Sequence, residues 1–426
     1  ASSGGNGELR IFAVEPEGYQ TVAKANITRV NLDPVYSNRQ STGSANGPVA
    51  PGQYDYFILT TSALAEGAVQ YAQYRASEEG GKYKVLVMDI RDVYDIYNYG
   101  EPSPIAIRNF VKFMLKGQSP EGKYLFLIGR STSYPMRMVR ELKGEVPTFG
   151  DPGSDNLLVS GLHGTHEDVM TIPVGRLSVF NNGQIRSYLE KVKSYEHERF
   201  DISWRKNVLH MSGGENSSEI QTLRSILSGL EPHVRDSEYA GKITHKVKTI
   251  SSPTVERINI SEEVNRGVGL LTFFGHGSHL VTDLDFGYVS DVSRGYANKG
   301  KYTVMYFNGC GVGNIFYNPS AFILSDDWIA TADKGAVAII ANSYNSYVSS
   351  SAKHIRVLYE VMFEQEKSKP IGDILKQVAV RIVNEPGYNV YDMSSIHQVN
   401  LQGDPVLKLV TVDDPDYIVS EDNQSI

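Results

Sequence analysis

The sequence predicts an α/β fold made of two parallel-sheet units with helices on both faces. Three observations carry that reading. Short apolar runs alternate with helical segments, once before and once after a charged amphipathic stretch at 182–199. The runs are continuous rather than alternating in polarity, which is the pattern of strands covered on both faces. The chain has 426 residues, more than one small core can organise, so two or more packed units are expected.

Residues 1–50 have no hydrophobic period, and their Gly, Ser, Asn and Pro clusters at 2–7 and 41–52 read as loops. The first unit is assigned to 51–199. It contains strands at 54–60, 83–90 and 123–128, with helices at 64–79 and 104–116 between them. A β-α-β-α-β order implies a parallel sheet with crossover helices. The stretch 130–170 is loop-rich, and 171–174 reads as a closing strand. The amphipathic helix at 182–199 bridges to the second unit, assigned to 200–411. There, strands are expected at 207–211, 243–250, 269–274, 303–307, 336–341 and 406–410. Helices are expected at 217–229, 321–332, 351–366 and 371–384. The acidic stretch 412–426 carries no apolar period and reads as a tail or linker.

Composition narrows the function. A hydrophobic content of 41% with 21% charged residues is that of a globular protein. A net charge of −8 supplies no electrostatic footprint for nucleic acid. No apolar stretch is long enough to span a bilayer. The single cysteine excludes an intrachain disulfide. The chain opens on Ala1, without an initiator Met or a signal peptide, which is the expectation for a processed or excised piece.

That single cysteine carries the strongest chemical signal. Cys310 lies in Phe307-Asn308-Gly309-Cys310-Gly311, directly after the apolar run 303–307. A second run, 269–274, ends in Gly275-His276-Gly277-Ser278. In a parallel α/β sheet the loops at the carboxyl ends of the strands build the site. A thiol and an imidazole delivered there make a nucleophile and its base. The glycines let backbone amides approach a reacting carbonyl. The flanking Phe274, Gly275, Asn308 and Gly309 are then candidates for the substrate pocket. Taken singly, either residue has a structural reading, as a small buried hydrophobe or a core histidine. Both together at two strand ends favour catalysis. A metal site is the rival: His276 and His279 are three apart, with Asp283 and Asp285 beyond. Gly275 and Gly277 make this stretch a loop rather than a helix, and no metal is expected there.

Six stretches occur in an order that resembles a known family. They are Ser103 to Phe110, Ile172 to Leu177, Gly267 to Ser278, Asn308 to Gly311, Gly335 to Ala341 and Gln402 to Pro405. Together they are similar to the gingipain-type cysteine peptidases, whose fold is related to that of caspases and which include the sortase of the type IX secretion system. The resemblance implies a caspase-like fold, protein or peptide substrates, Cys310 as nucleophile and His276 as general base. It implies an oxyanion hole from the backbone N–H groups of Gly277 and Cys310. It places a third catalytic carboxylate in the loop between the units, where Asp155 aligns, although Asp, Pro and Gly in that loop also make an ordinary turn. Thr165 falls nearest the acidic position of the basic-specific members, with Glu167 and Asp168 close by, and Tyr347 matches a pocket-wall aromatic. A neutral Thr165 predicts a small or uncharged residue before the scissile bond. The resemblance implies no cofactor for the chemistry, and by analogy allows a structural calcium ion. It also implies an extracellular or bacterial outer-membrane location and an outer-membrane secretion partner. Two alternatives stay open: hydrolysis against transfer to an amine, and an active enzyme against an inactive scaffold of the same fold.

Overall fold

The computed structural model describes residues 49–139, 145–197, 202–317, 322–366 and 368–409. The irregular segment 1–50, apart from its last two residues, and the tail 412–426 lie outside the described residues. The strands are β1 (Tyr56–Thr60), β2 (Val85–Asp89), β3 (Tyr124–Ile128), β4 (Val174–Leu177), β5 (Asn207–Ser212) and β6 (Lys242–Val247). They continue with β7 (Glu256–Arg257), β8 (Leu270–Phe274), β9 (Leu284–Asp285), β10 (Thr303–Asn308), β11 (Ala336–Asn342) and β12 (Val399–Gln402).

Ten of these strands form one sheet, in the order β2-β1-β3-β4-β12-β11-β10-β8-β5-β6, while β7 and β9 pair apart from it. The two runs of alternation seen in the sequence occupy its two halves. Within each half, neighbouring strands of the β1–β4 block and of the β5–β11 block are parallel. β12 runs antiparallel to β11 and parallel to β4, so the halves point in opposite directions and join at that seam. Every residue of β1, β3, β8, β10 and β11 is buried, as continuous apolar runs require.

The sequence places most elements correctly, and its misses have local causes. The closing strand is Val399–Gln402 rather than 406–410. Its Val-Asn-Leu-Gln pattern lacks an apolar run, and Gly403 at φ 118° with Pro405 beyond ends the pairing. Helices Ile90–Tyr97 and Val390–Gln398 were not anticipated. The first begins at the strand end itself, capped by the Asp89 carboxylate on the Arg91 N–H at 2.9 Å. The helix expected at 351–366 is α-helical over Val348–Glu360 and continues as a π-turn over Val361–Gln365.

A buried polar network ties the first half to the seam. The Asp404 carboxylate accepts from Tyr56 Oη at 2.7 Å, from Arg75 Nε at 2.6 Å and from Tyr71 Oη. Arg75 also bonds Glu196, on the helix Asn182–His197. Both partners of the Arg75–Asp404 pair are buried, so removing one would strand the other in a low dielectric.

Candidate active site

β8 and β10 are immediate neighbours, and their register pairs Phe274 with Asn308. Two residues beyond that pair, each strand delivers its chemical group: His276 from β8 and Cys310 from β10. The Gly275 N–H donates to Asn308 O at 3.1 Å and stitches the two loops together. The approach is close enough to need glycine. A Cβ on Gly277 would lie 2.6 Å from a Val312 methyl, and one on Gly275 would lie 2.6 Å from Asp283 Oδ1.

Cys310 is half-buried. Its sulfur receives the Ser346 backbone N–H at 3.4 Å and lies 3.6 Å from Ser346 Oγ. The Gly311 N–H bonds Tyr344 O at 2.8 Å, which docks the loop after β11 onto the cysteine turn. His276 is partly exposed, and its Nε2 lies 2.9 Å from Glu219 Oε1. None of the hydrogen bonds of Cys310 reaches His276. Neither the Gly277 nor the Cys310 N–H donates to another group among the described residues, and both residues are half-buried.

Glu219 sits in the first turn of the helix Ser217–Ser228. Its N–H donates to Asn216 Oδ1 at 3.0 Å, and its Oε2 accepts the Glu215 N–H at 2.8 Å. This reciprocal cap leaves Oε1 for the histidine. Burial works against its charge, but the Glu215 N–H and the His276 ring hold the Glu219 carboxyl below its usual range. Beneath them lies Asp283, whose carboxylate accepts the Gly214 N–H at 2.6 Å and whose carboxyl is raised by burial. Its N–H donates to His276 O at 2.9 Å, which braces the histidine loop against the loop leading to Glu219.

Several expectations are corrected here. Asp155 is not the carboxylate at His276. Both its oxygens are taken by Arg176 on β4, with Nε at 2.6 Å and Nη2 at 2.7 Å, in a buried fork-to-fork pair. Phe274, Asn308 and Gly309 are buried under the loops and support the site instead of lining an open pocket, because the strand register carries them below the surface; Gly275 alone of those four is partly open. His276 and His279 do not converge. The His279 ring packs on Tyr317 at 4.3 Å, and no group of three or more His, Cys, Asp or Glu residues that could hold a metal ion is found among the described residues.

Thr165 lies in a turn closed by its own N–H on Leu162 O at 2.9 Å and makes no hydrogen bond to Cys310 or His276. Asp168 is buried and already engaged, by Tyr388 Oη at 2.7 Å and His397 Nε2 at 2.9 Å. Tyr347 is adjacent to Ser346 and packs on Tyr391 with ring centroids 4.6 Å apart. Tyr391 and His397 belong to the same helix, Val390–Gln398. That helix therefore holds both Asp168, three residues after Thr165, and Tyr347.

The sequence reading missed Glu219 and Ser346. Asn216 followed three residues later by Glu219 is legible as a helix cap, but nothing local points it at a histidine 57 residues away. Ser346 has no sequence signal, since its role comes from its backbone N–H.

A parallel α/β sheet with a thiol and an imidazole at adjacent strand ends defines the caspase-like class of cysteine peptidases. Within that class the assignment is direct: residues 49–410 match the model of Peptidase family C25. The chain belongs to that family and is a cysteine peptidase. Among solved structures, the complex of Porphyromonas gingivalis RgpB pro- and mature domains is similar at 17% identity and a TM-score of 0.65. That alignment covers 83% of this chain and 79% of the other. The Arg-specific cysteine proteinase gingipain R is similar at 17% identity and a TM-score of 0.65, covering 86% and 80%. No curated protein matches the sequence.

Proposed function

We propose that the chain is a cysteine endopeptidase in which Cys310 is the nucleophile, His276 the general base and Glu219 the carboxylate that orients the histidine. The observation that carries this reading is the Phe274–Asn308 register, which sets the two loops side by side with Glu219 on His276 and the Ser346 N–H on sulfur. With Nε2–H directed at Glu219, Nδ1 is the nitrogen left to take the thiol proton. A substrate-free site with loose thiol–imidazole geometry tightens when substrate enters. The thiolate then adds to the scissile carbonyl carbon, and the displaced electron pair moves onto oxygen. The N–H groups of Gly277 and Cys310 are free to receive that oxyanion. The intermediate collapses as the C–N bond breaks and His276 returns the proton to the leaving amine. The thioester left on Cys310 is resolved by water or by an incoming amine, with His276 accepting a proton again.

The substrates are proteins. We assign an uncharged residue to the position before the scissile bond. Thr165 is neutral, and Asp168 is committed to Tyr388 and His397. An extracellular or outer-membrane location, an outer-membrane secretion partner and the sortase role belong to the same proposal, and the gingipain-type resemblance supports them. The test is a peptide-library digest with and without an added amine. Cys310→Ala should abolish cleavage with the fold intact; cleavage that persists in that variant rules out the nucleophile. Amine-capped products would assign the sortase branch, and free carboxylates the hydrolytic one.

A further inference from the structure

Beside the cysteine turn lies a cavity of about 480 Å³ that shares no residue with Thr165 or Tyr347. Its lining includes Met136 and Pro135 on one side, Asn314 and Tyr317 on another, Tyr344, and the carboxylate-bearing Asp151. Two of these walls come from the site itself. Asn314 and Tyr317 belong to the segment that leaves Cys310, and Tyr344 receives the Gly311 N–H and lies two residues before Ser346. The cavity therefore shares walls with the two loops that hold Cys310.

The Asp151 turn is built into the site. Gly153 O accepts from Ser343 Oγ at 2.7 Å, and a Cβ on Gly153 would come within 2.6 Å of the Phe316 ring. The Asp151 side chain is exposed and makes no hydrogen bond or ion pair among the described residues. The tyrosines present exposed rings, Tyr317 at 55% and Tyr344 at 51%. The neighbouring His279, packed on Tyr317, is held toward its neutral form by burial and brings no competing charge.

We propose that this cavity is a substrate subsite for a lysine or arginine side chain, distinct from the position before the scissile bond; the proposal rests on the peptidase reading above. The volume and the apolar Met and Pro wall accept a long methylene stem. The Asp151 carboxylate takes the cationic head, and the tyrosine faces add cation–π attraction. A glutamine of similar length would leave the carboxylate without a counter-charge, and a glutamate would be repelled.

The experiment measures peptide binding to the full chain carrying Cys310→Ala, by fluorescence anisotropy. The labelled peptides carry Lys, Arg, Gln or Glu at each position in turn. One position should prefer Lys or Arg over Gln by roughly five- to tenfold, the range of a partly exposed ion pair strengthened by a cation–π contact. The preference should shrink with added salt. Asp151→Asn should abolish it without weakening peptides that carry Gln there, and Asp151→Lys should turn it toward Glu. A preference that survives Asp151→Asn, or no cationic preference at any position, overturns the proposal. Binding is read without turnover, so the two readings fail separately. A chain that binds with this preference yet cleaves nothing keeps the subsite and loses the endopeptidase mechanism.

Discussion

Glu219 has two oxygens with separate tasks: Oε2 closes the cap of its own helix, and Oε1 faces His276. Glu219→Gln keeps the cap acceptor and removes the charge. The imidazolium that forms during catalysis then lacks its counter-ion, so kcat should fall on the order of 10–100-fold with KM little changed. The folded-state carboxyl lies below its unfolded value, so its stabilising contribution is complete above the ordinary glutamate pKa of about 4.3. It is lost as pH falls below that toward the folded value. Peptide-cleavage kinetics of the two proteins check the first expectation, and urea titrations through that pH range check the second. A kcat that does not fall in Glu219→Gln would remove Glu219 from the site. The residue that failed as a candidate is equally instructive. Asp155 has the right chemistry, but Arg176 saturates it.

At the scale of elements, the cysteine strand is held by the helix Val348–Glu360 behind it. Tyr306 Oη on β10 lies 3.2 Å from His354 Nδ1 on that helix. Burial pushes the His354 pKa down to about 4, well below the unfolded value near 6.5. The sign follows: stability from this group is complete above about 6.5, and is lost as pH falls from there toward 4, because only the unfolded chain takes up the proton. His354→Gln should flatten the fall of stability over that window by up to one proton, about 1.4 kcal/mol per pH unit. Urea titrations from pH 7 to pH 4 measure the slope, and an unchanged slope would show that His354 is protonated in the fold. His210, driven down to about 3 by burial, adds to the same acid sensitivity from β5.

At the scale of the molecule, the seam between the oppositely directed halves is closed by the turn after β12. Asp404 in that turn meets Arg75, Tyr56 and Tyr71 from the first half. Asp404→Asn would leave Arg75 buried beside a neutral partner, and destabilisation of about 3–5 kcal/mol is expected. Thermal unfolding followed by calorimetry would measure it. A near-neutral effect would mean that Glu196 and the tyrosines suffice to hold Arg75. The Cys310 thiol lies in the other half, so its alkylation rate at low temperature should not change.

The sequence by itself determined the order of most elements, the buried strands, and the placing of Cys310 and His276 just beyond the ends of two of them. Each of these is written locally, as an apolar run ending at a glycine-flanked reactive residue. What the tertiary structure decided is non-local. It joined the two runs of strands into one sheet, through the Val399–Gln402 strand that local pattern obscures. It set Glu219, rather than Asp155, against the histidine, and it put the Ser346 N–H on the sulfur. It also left Asp151 at the wall of a cavity without a partner among the described residues, while Asp168, a near neighbour in sequence, was consumed by a tyrosine and a histidine. The physical reason is common to all of these. A carboxylate's role follows from which cations and donors burial brings within about 3 Å of it, and those partners lie tens to hundreds of residues away along the chain.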